Sequence, residues 1–121
     1  MILSMIDLPE TDGEWTRILT NSRIIYISCL GKRSHNSLGP AWVEIDKKTH
    51  TIVCTYWYVN GELHRLDGPA LERHSEGAAR EWWIAGKAYT KAQFPLAVVM
   101  FLLGCDGPSA EIIINAFKKA L

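Results

Sequence analysis

Charge of either sign in excess is missing from this sequence. Lys plus Arg and Asp plus Glu each number 13, so no overall field draws the chain toward phosphate backbones or acidic lipid, and nucleic-acid binding is disfavoured. Close cysteine pairs are missing too. Cys29, Cys54 and Cys105 are three, odd in number and far apart, unlike the ligand pairs of zinc modules or the framework of small secreted disulfide domains. A reducing cytoplasm is the expected compartment. The longest apolar run, Leu96 to Leu103, has eight residues, where about 20 are needed to span a bilayer, so it reads as a buried helix or an oligomer contact. The N-terminal "MILSMIDLPETDGE" lacks a basic leader, a long apolar centre and a small-residue cleavage site, and reads as no export signal. No P-loop, dinucleotide fingerprint or paired-carboxylate signature occurs, so no cofactor is expected.

What is present is a soluble globular composition, 48% hydrophobic and 21% charged over 121 residues, which suits one domain folding unaided. Its most informative stretch is "YWYVNGELHRLDGPALE", Tyr56 to Glu72. Tyr56 to Val59 favour a pleated strand, and Asn60-Gly61 tolerates the positive φ angles of a tight hairpin turn. Asp67-Gly68 supplies a second turn, and Pro69, lacking a backbone donor, suits the start of a strand or an edge.

The pattern recurs along the chain. His35 aligns with His64 and Gly39-Pro40-Ala41 with Gly68-Pro69-Ala70 at a spacing of 29, while Trp82, Trp83 and Gly86 follow Trp57, Tyr58 and Gly61 by 25. Such a period marks a unit that buries its apolar face by stacking on neighbours. Strands are expected at Arg23 to Cys29, Lys32 to His35, Pro40 to Ile45, Thr49 to Tyr58, Glu62 to Arg65, Ala70 to His74, Ala79 to Ile84 and Lys87 to Tyr89. The short connections, including Asp46-Lys47-Lys48 and Ser75-Glu76-Gly77, make them an antiparallel meander.

Before the sheet, residues 1–21 read as a helical segment: Thr11 and Glu14 have capping-box spacing, and Trp15, Ile18 and Leu19 form an i, i+3, i+4 stripe. After it, Thr90-x-x-Gln93 opens a helix running to Leu103 and ended by Gly104, and Ala110 to Leu121 form a second one. The expected fold is α+β, a hairpin-repeat sheet over 22–89 packed on one face by a C-terminal helical hairpin over 90–121.

The residues Trp57, Asn60, Gly61, His64, Arg65, Asp67, Gly68, Pro69 and Ala70 resemble a tandem repeat, W-x-x-NG-x-x-HR-x-DGPA, of small bacteriophage and giant-virus proteins, itself distantly similar to MORN-type β-hairpin repeats. Nine positions agree over 14 residues, a specific match for a short motif. The earlier unit, Tyr26 to Glu44, keeps His35, Gly39, Pro40 and Ala41 but has Asn36 and Leu38 where the pattern has Arg and Asp. The last unit keeps only the Trp and Gly. The resemblance implies a hairpin unit and a viral origin, and brings no catalytic residue.

His64, Arg65 and Asp67 have the composition of a base with an orienting carboxylate, yet turn capping and ion pairing account for all three without a substrate, and no nucleophile accompanies them. His35 and His64 with Cys29 or Cys54 are too weak a set for zinc. The aromatics carry more. Tyr56, Tyr58 and Trp83 share one sheet face, which the C-terminal helices do not cover; they form a recognition platform, or the sheet curls and encloses them as a second core. The function expected is non-catalytic: a viral accessory protein in the host cytoplasm that docks through this face on a host protein, such as one of antiviral defence, and inhibits or redirects it. Self-association is a further way to cover the face. The alternative is a small-ligand binder or sponge in which His64, Arg65 and the Trp residues line a pocket for a nucleotide-like anion.

Overall fold

A computed structural model of the chain describes residues 8–74, 78–104 and Ile114. Among these residues, ten strands precede the helix α1: β1 (Glu14–Leu19), β2 (Arg23–Leu30), β3 (Arg33–Ser34), β4 (Trp42–Asp46), β5 (Ile52–Tyr56), β6 (Tyr58–Val59), β7 (Glu62–Leu63), β8 (Leu71–Arg73), β9 (Arg80–Ile84), β10 (Lys87–Tyr89) and α1 (Phe94–Leu102). The described fold is thus β-rich α+β. The main sheet runs β1-β2-β4-β5-β8-β9-β10 with β3 added on β2, and β6-β7 form a separate two-stranded ribbon. Every pairing is antiparallel, as short connections require.

The described part of the expected N-terminal helical segment, from residue 8 onward, contains no helix. Glu14–Leu19 is a strand, paired with β2 from Glu14↔Cys29 to Leu19↔Ile24, so the sheet begins eight residues before the expected boundary at residue 22. A helix of two turns is marginal in water, while the β-branched Thr16 and Ile18 fit a pleated strand and β2 offers a full row of ladder partners. The Thr11 hydroxyl, read as a helix cap, instead accepts the Gly13 N–H at 2.9 Å and bonds the Ser28 hydroxyl. Gly13 is required because a Cβ there would lie 2.6 Å from the Cys29 carbonyl oxygen.

The expected strand Thr49 to Tyr58 is also two elements. It leaves the main sheet at Trp57, whose N–H donates to the Ala70 carbonyl and whose own carbonyl accepts from His64, and Tyr58 then pairs with Leu63 in the ribbon. At the other end, Thr90 and Gln93 make their reciprocal bonds, Thr90 N–H to Gln93 Oε1 and Gln93 N–H to Thr90 Oγ1, closing the turn that opens α1. The expected turn Ser75-Glu76-Gly77 and second helix, Ala110 to Leu121, lie outside the described residues except for Ile114, which is buried.

Two clusters form the core. Tyr26, Val43 and Ile45 gather Leu8, Trp15, Ile24 and Ile52; Ile84, Phe94, Ala97 and Ile114 gather Leu66, Trp82, Tyr89 and the α1 side chains. Because paired antiparallel residues share a face and side chains alternate along a strand, the registers place the sheet members of both clusters on one face. Helix α1 packs there, beside β9.

Candidate functional site

The same registers fix the opposite face. Ile27 pairs with Trp42, Trp42 with Tyr56, Tyr56 with Leu71 and Leu71 with Glu81, two residues before Trp83. Trp42, Tyr56, Leu71 and Trp83 therefore cross the sheet on the side away from both core clusters, and all four are half-buried. The Trp42 and Tyr56 rings meet edge to face at 5.7 Å, and Tyr56 and Tyr58 lie 6.2 Å apart, so the ribbon extends the row. Each indole is pinned along its own strand: Trp42 Nε1–H donates to Glu44 Oε2 at 3.0 Å and Trp83 Nε1–H to Glu81 Oε1 at 2.9 Å. Fixed rings flanked by carboxylates present area whose rotamer entropy is already spent.

Burial, and after it the neighbouring Cys54 thiol, pushes the Tyr56 phenol up to about 12; burial also raises Tyr58. Both keep their hydroxyl hydrogens at neutral pH as donors. Beneath Tyr56 the free Cys54 is buried, and the Cys29 thiol is half-buried.

The expected residues His64 and Arg65 are elsewhere, in the loop between β7 and β8, where their partners are internal. His64 Nδ1 accepts the Ala85 N–H at 2.9 Å, as His35 Nδ1 accepts the Asn60 N–H at 3.0 Å. The surrounding backbone bonds match too: His35 N–H to Ser28 O and His64 N–H to Trp57 O, Ala41 N–H to Tyr56 O and Ala70 N–H to Glu81 O, Gly61 N–H to Ser34 O and Gly86 N–H to Leu63 O. Each histidine holds the next tight turn, whose first residue, Asn60 or Ala85, has φ of 51° or 48°. A ring nitrogen that accepts an N–H has no lone pair left for a metal, and no group of three His, Cys, Asp or Glu suited to one occurs among the described residues.

Arg65 is similarly spent. Its guanidinium lies 3.9 Å above the Trp57 ring, donates to Asp67 at 2.8 Å and to the Pro69 carbonyl at 3.1 Å, and sits 3.6 Å from Glu72. Asp67, expected both to cap the turn's N–H groups and to pair with Arg65, makes the ion pair. In the earlier unit Asn36 fills the Arg65 place, its Nδ2 donating to the Pro40 carbonyl at 3.0 Å. The shorter amide suffices because it also reaches Glu10 O, in the N-terminal segment. A cleft of about 320 Å³ between the two loops is lined by Trp57, His64, Arg65 and Leu38 among others.

Sequence reasoning missed Trp42, Asp12 and the two glutamates. Glu44 and Glu81 had a signal, since each lies two residues from a Trp and so on its face. Asp12 had none: its carboxylate crosses from the N-terminal segment to His35 Nε2 at 2.8 Å and takes the Ser37 N–H and hydroxyl at 2.9 and 2.7 Å. The Ser37 hydroxyl, then the Ser37 N–H, then His35 hold Asp12 well below the usual carboxylate range. Burial lowers His64 against an opposing pull from Glu62.

Both shifts make the fold acid-sensitive. With its folded pKa below the ordinary 6.5, His64 contributes stability that is fully present above that value and is lost as pH falls below it. Asp12, depressed from 3.8, contributes stability above that value and loses it below. Urea midpoints measured from pH 8 downward should therefore fall in two stages. In His64→Asn, which keeps an acceptor but does not titrate, the stage below 6.5 should shrink; a flat profile between pH 8 and 5 would refute the assignment.

The fold and site together define a β-rich chain with pinned aromatics on one sheet face. In comparisons with known proteins, no family model, no curated protein and no solved structure gives a significant match to it.

Proposed function

We propose that the chain is a non-catalytic docking protein whose partner is another protein, bound through the face carrying Trp42, Tyr56, Tyr58, Leu71 and Trp83. The observation that carries this reading is the cross-strand row itself: Trp42, Tyr56 and Leu71 in register and Trp83 two residues along on the same face, all half-buried and opposite both core clusters. Trp and Tyr dominate interface hot spots because they offer wide contact area at low entropic cost. The flanking Glu44 and Glu81 give that face a polar rim.

A viral accessory role in the host cytoplasm extends the reading. It draws on the resemblance of the unit around Trp57 to Ala70 to repeats of phage and giant-virus proteins, and on unpaired cysteines. The partner is then a host protein, inhibited or redirected by occupancy of its surface, and antiviral defence proteins are the first to test. No helix among the described residues is long and apolar enough to cross a membrane. In the repeat reading, the matched bonds of His35 and His64 make the two loops copies of one unit, stacked to carry the platform.

The alternative, a nucleotide-like anion between Trp57, His64 and Arg65, has the inter-loop cleft in its favour. Against it stands the pairing of Arg65 with two carboxylates, which leaves little positive potential for a phosphate.

The test is a binding titration with the companion recovered from the natural host. Tyr58→Ala plus Trp83→Ala, folded by circular dichroism, is expected to weaken the complex at least tenfold, about 1.4 kcal/mol or more, while His64→Asn leaves it unchanged. Equal binding by the double variant would exclude this face. Thermal-shift measurements with nucleotides address the alternative: a concentration-dependent rise in midpoint supports it.

A further inference from the structure

Strand β1 is the outermost strand of the main sheet, bonded among the described residues to β2 alone. The bond from Thr20 N–H to Arg23 O sets the phase of the ladder. Antiparallel pairs alternate between exchanging both bonds and exchanging none, so Glu14, Thr16 and Ile18 bond β2, while Trp15, Arg17 and Leu19 turn their N–H and C=O groups outward. Natural edge strands are usually blunted by brevity, proline, charged side chains, lysine above all, or a bulge, and β1 has only Glu14 and Arg17 of these. The opposite edge follows the rule, for β10 has three residues and begins with Lys87. β1 has six residues, no proline, glycine, lysine or bulge, and exposes Ile18 by 43% and Leu19 by 56%.

We propose that β1 is a self-pairing edge: two copies of this chain join β1 to β1 antiparallel, about a two-fold axis through Thr16 and normal to the sheet. Such an axis sets residues of like face opposite each other, and hydrogen bonds form only between outward groups. Centring on Arg17 opposes two guanidiniums, which is destabilising. Centring on Ile18 carries the pairing into the Thr20–Arg23 turn. Centring on Thr16 keeps the pairing within β1: Trp15 faces Arg17 of the second copy, and Arg17 faces its Trp15, so each cation meets an aromatic ring and no like charges oppose. Glu14 faces Ile18, and Thr16 faces Thr16.

The dimer has a consequence for the platform. An axis normal to the sheet keeps both aromatic faces on one side, so a single extended sheet displays two copies of the Trp42–Trp83 row. Self-pairing does not depend on the docking reading, since it is measured on the chain alone.

Sedimentation velocity of the full chain at micromolar concentration is expected to give twice the chain mass. Arg17→Pro removes only an outward N–H and leaves the β1-β2 bonds in place; it is expected to sediment as a single chain with an unchanged far-UV spectrum. In a second experiment, Thr16→Cys is expected to cross-link two chains on mild oxidation beyond the wild-type level, and Ile18→Cys is not. A wild-type chain of single mass, a folded Arg17→Pro dimer, or cross-linking through Ile18→Cys instead of Thr16→Cys would each overturn the proposal.

Discussion

His35→Ala is expected to lower the unfolding free energy by about 2–3 kcal/mol, because it strips a partner from two groups at once and opens a cavity. The ring is 5% exposed; it accepts the Asn60 N–H on one nitrogen and bonds the Asp12 carboxylate with the other. His64→Ala, at the matching position, is expected to cost about 1 kcal/mol. Its ring is only half-buried, makes one hydrogen bond, to Ala85, and otherwise rests against Phe101 with centroids 5.3 Å apart. His35→Asn should recover part of the loss by restoring an acceptor for Asn60. Urea denaturation of the three variants decides the matter. Equal losses at His35 and His64 would mean that the Asp12 strap adds nothing.

Arg65→Ala should be as severe, about 3 kcal/mol, because several contacts disappear together and Glu72 is left, among the described residues, with Arg80, 3.7 Å away. Arg65→Lys is expected to restore less than half. An ammonium is a point charge, unable to lie flat on Trp57 while its fork reaches Asp67 and the Pro69 carbonyl. Gly68 belongs to the same unit, since a Cβ there would stand 2.9 Å from the Arg65 Cζ. Gly68→Ala should therefore be costly in the wild type and much less so beside Arg65→Ala, a coupling that a double-mutant cycle on thermal or urea unfolding reads directly. Additive losses would separate the glycine from the guanidinium.

These two predictions locate what could be read in advance. The turns were legible because their chemistry is local: Asn60-Gly61 adopts the left-handed region whatever surrounds it, and Gly61 and Gly86 have φ of 82° and 79°. That Tyr56 and Trp83 share a face was legible from alternation within the matching strands; Tyr58, expected beside them, lies in the separate ribbon. The segment Glu14–Leu19 was not, because its apolar residues fit a helical stripe as well as a strand, and the choice fell to an open ladder on β2. The break at Trp57 was equally hidden. Nothing in "CTYWYVN" says that one end belongs to an eight-stranded sheet and the other to a ribbon.

Sequence alone determined several of the chain reversals, Asp46 to Lys48 and Asn60-Gly61 among them, and the antiparallel pairing of the strands they join, because turn preference and two-residue alternation act within a few residues. Tertiary structure decided which face the core occupies, that His35 is gripped by Asp12 while His64 meets α1, and that Arg65 is neutralised by carboxylates on either side. Those outcomes depend on groups distant in the chain arriving at one point, and a contact across 23 residues, such as Asp12 with His35, leaves no periodicity for a reader to find.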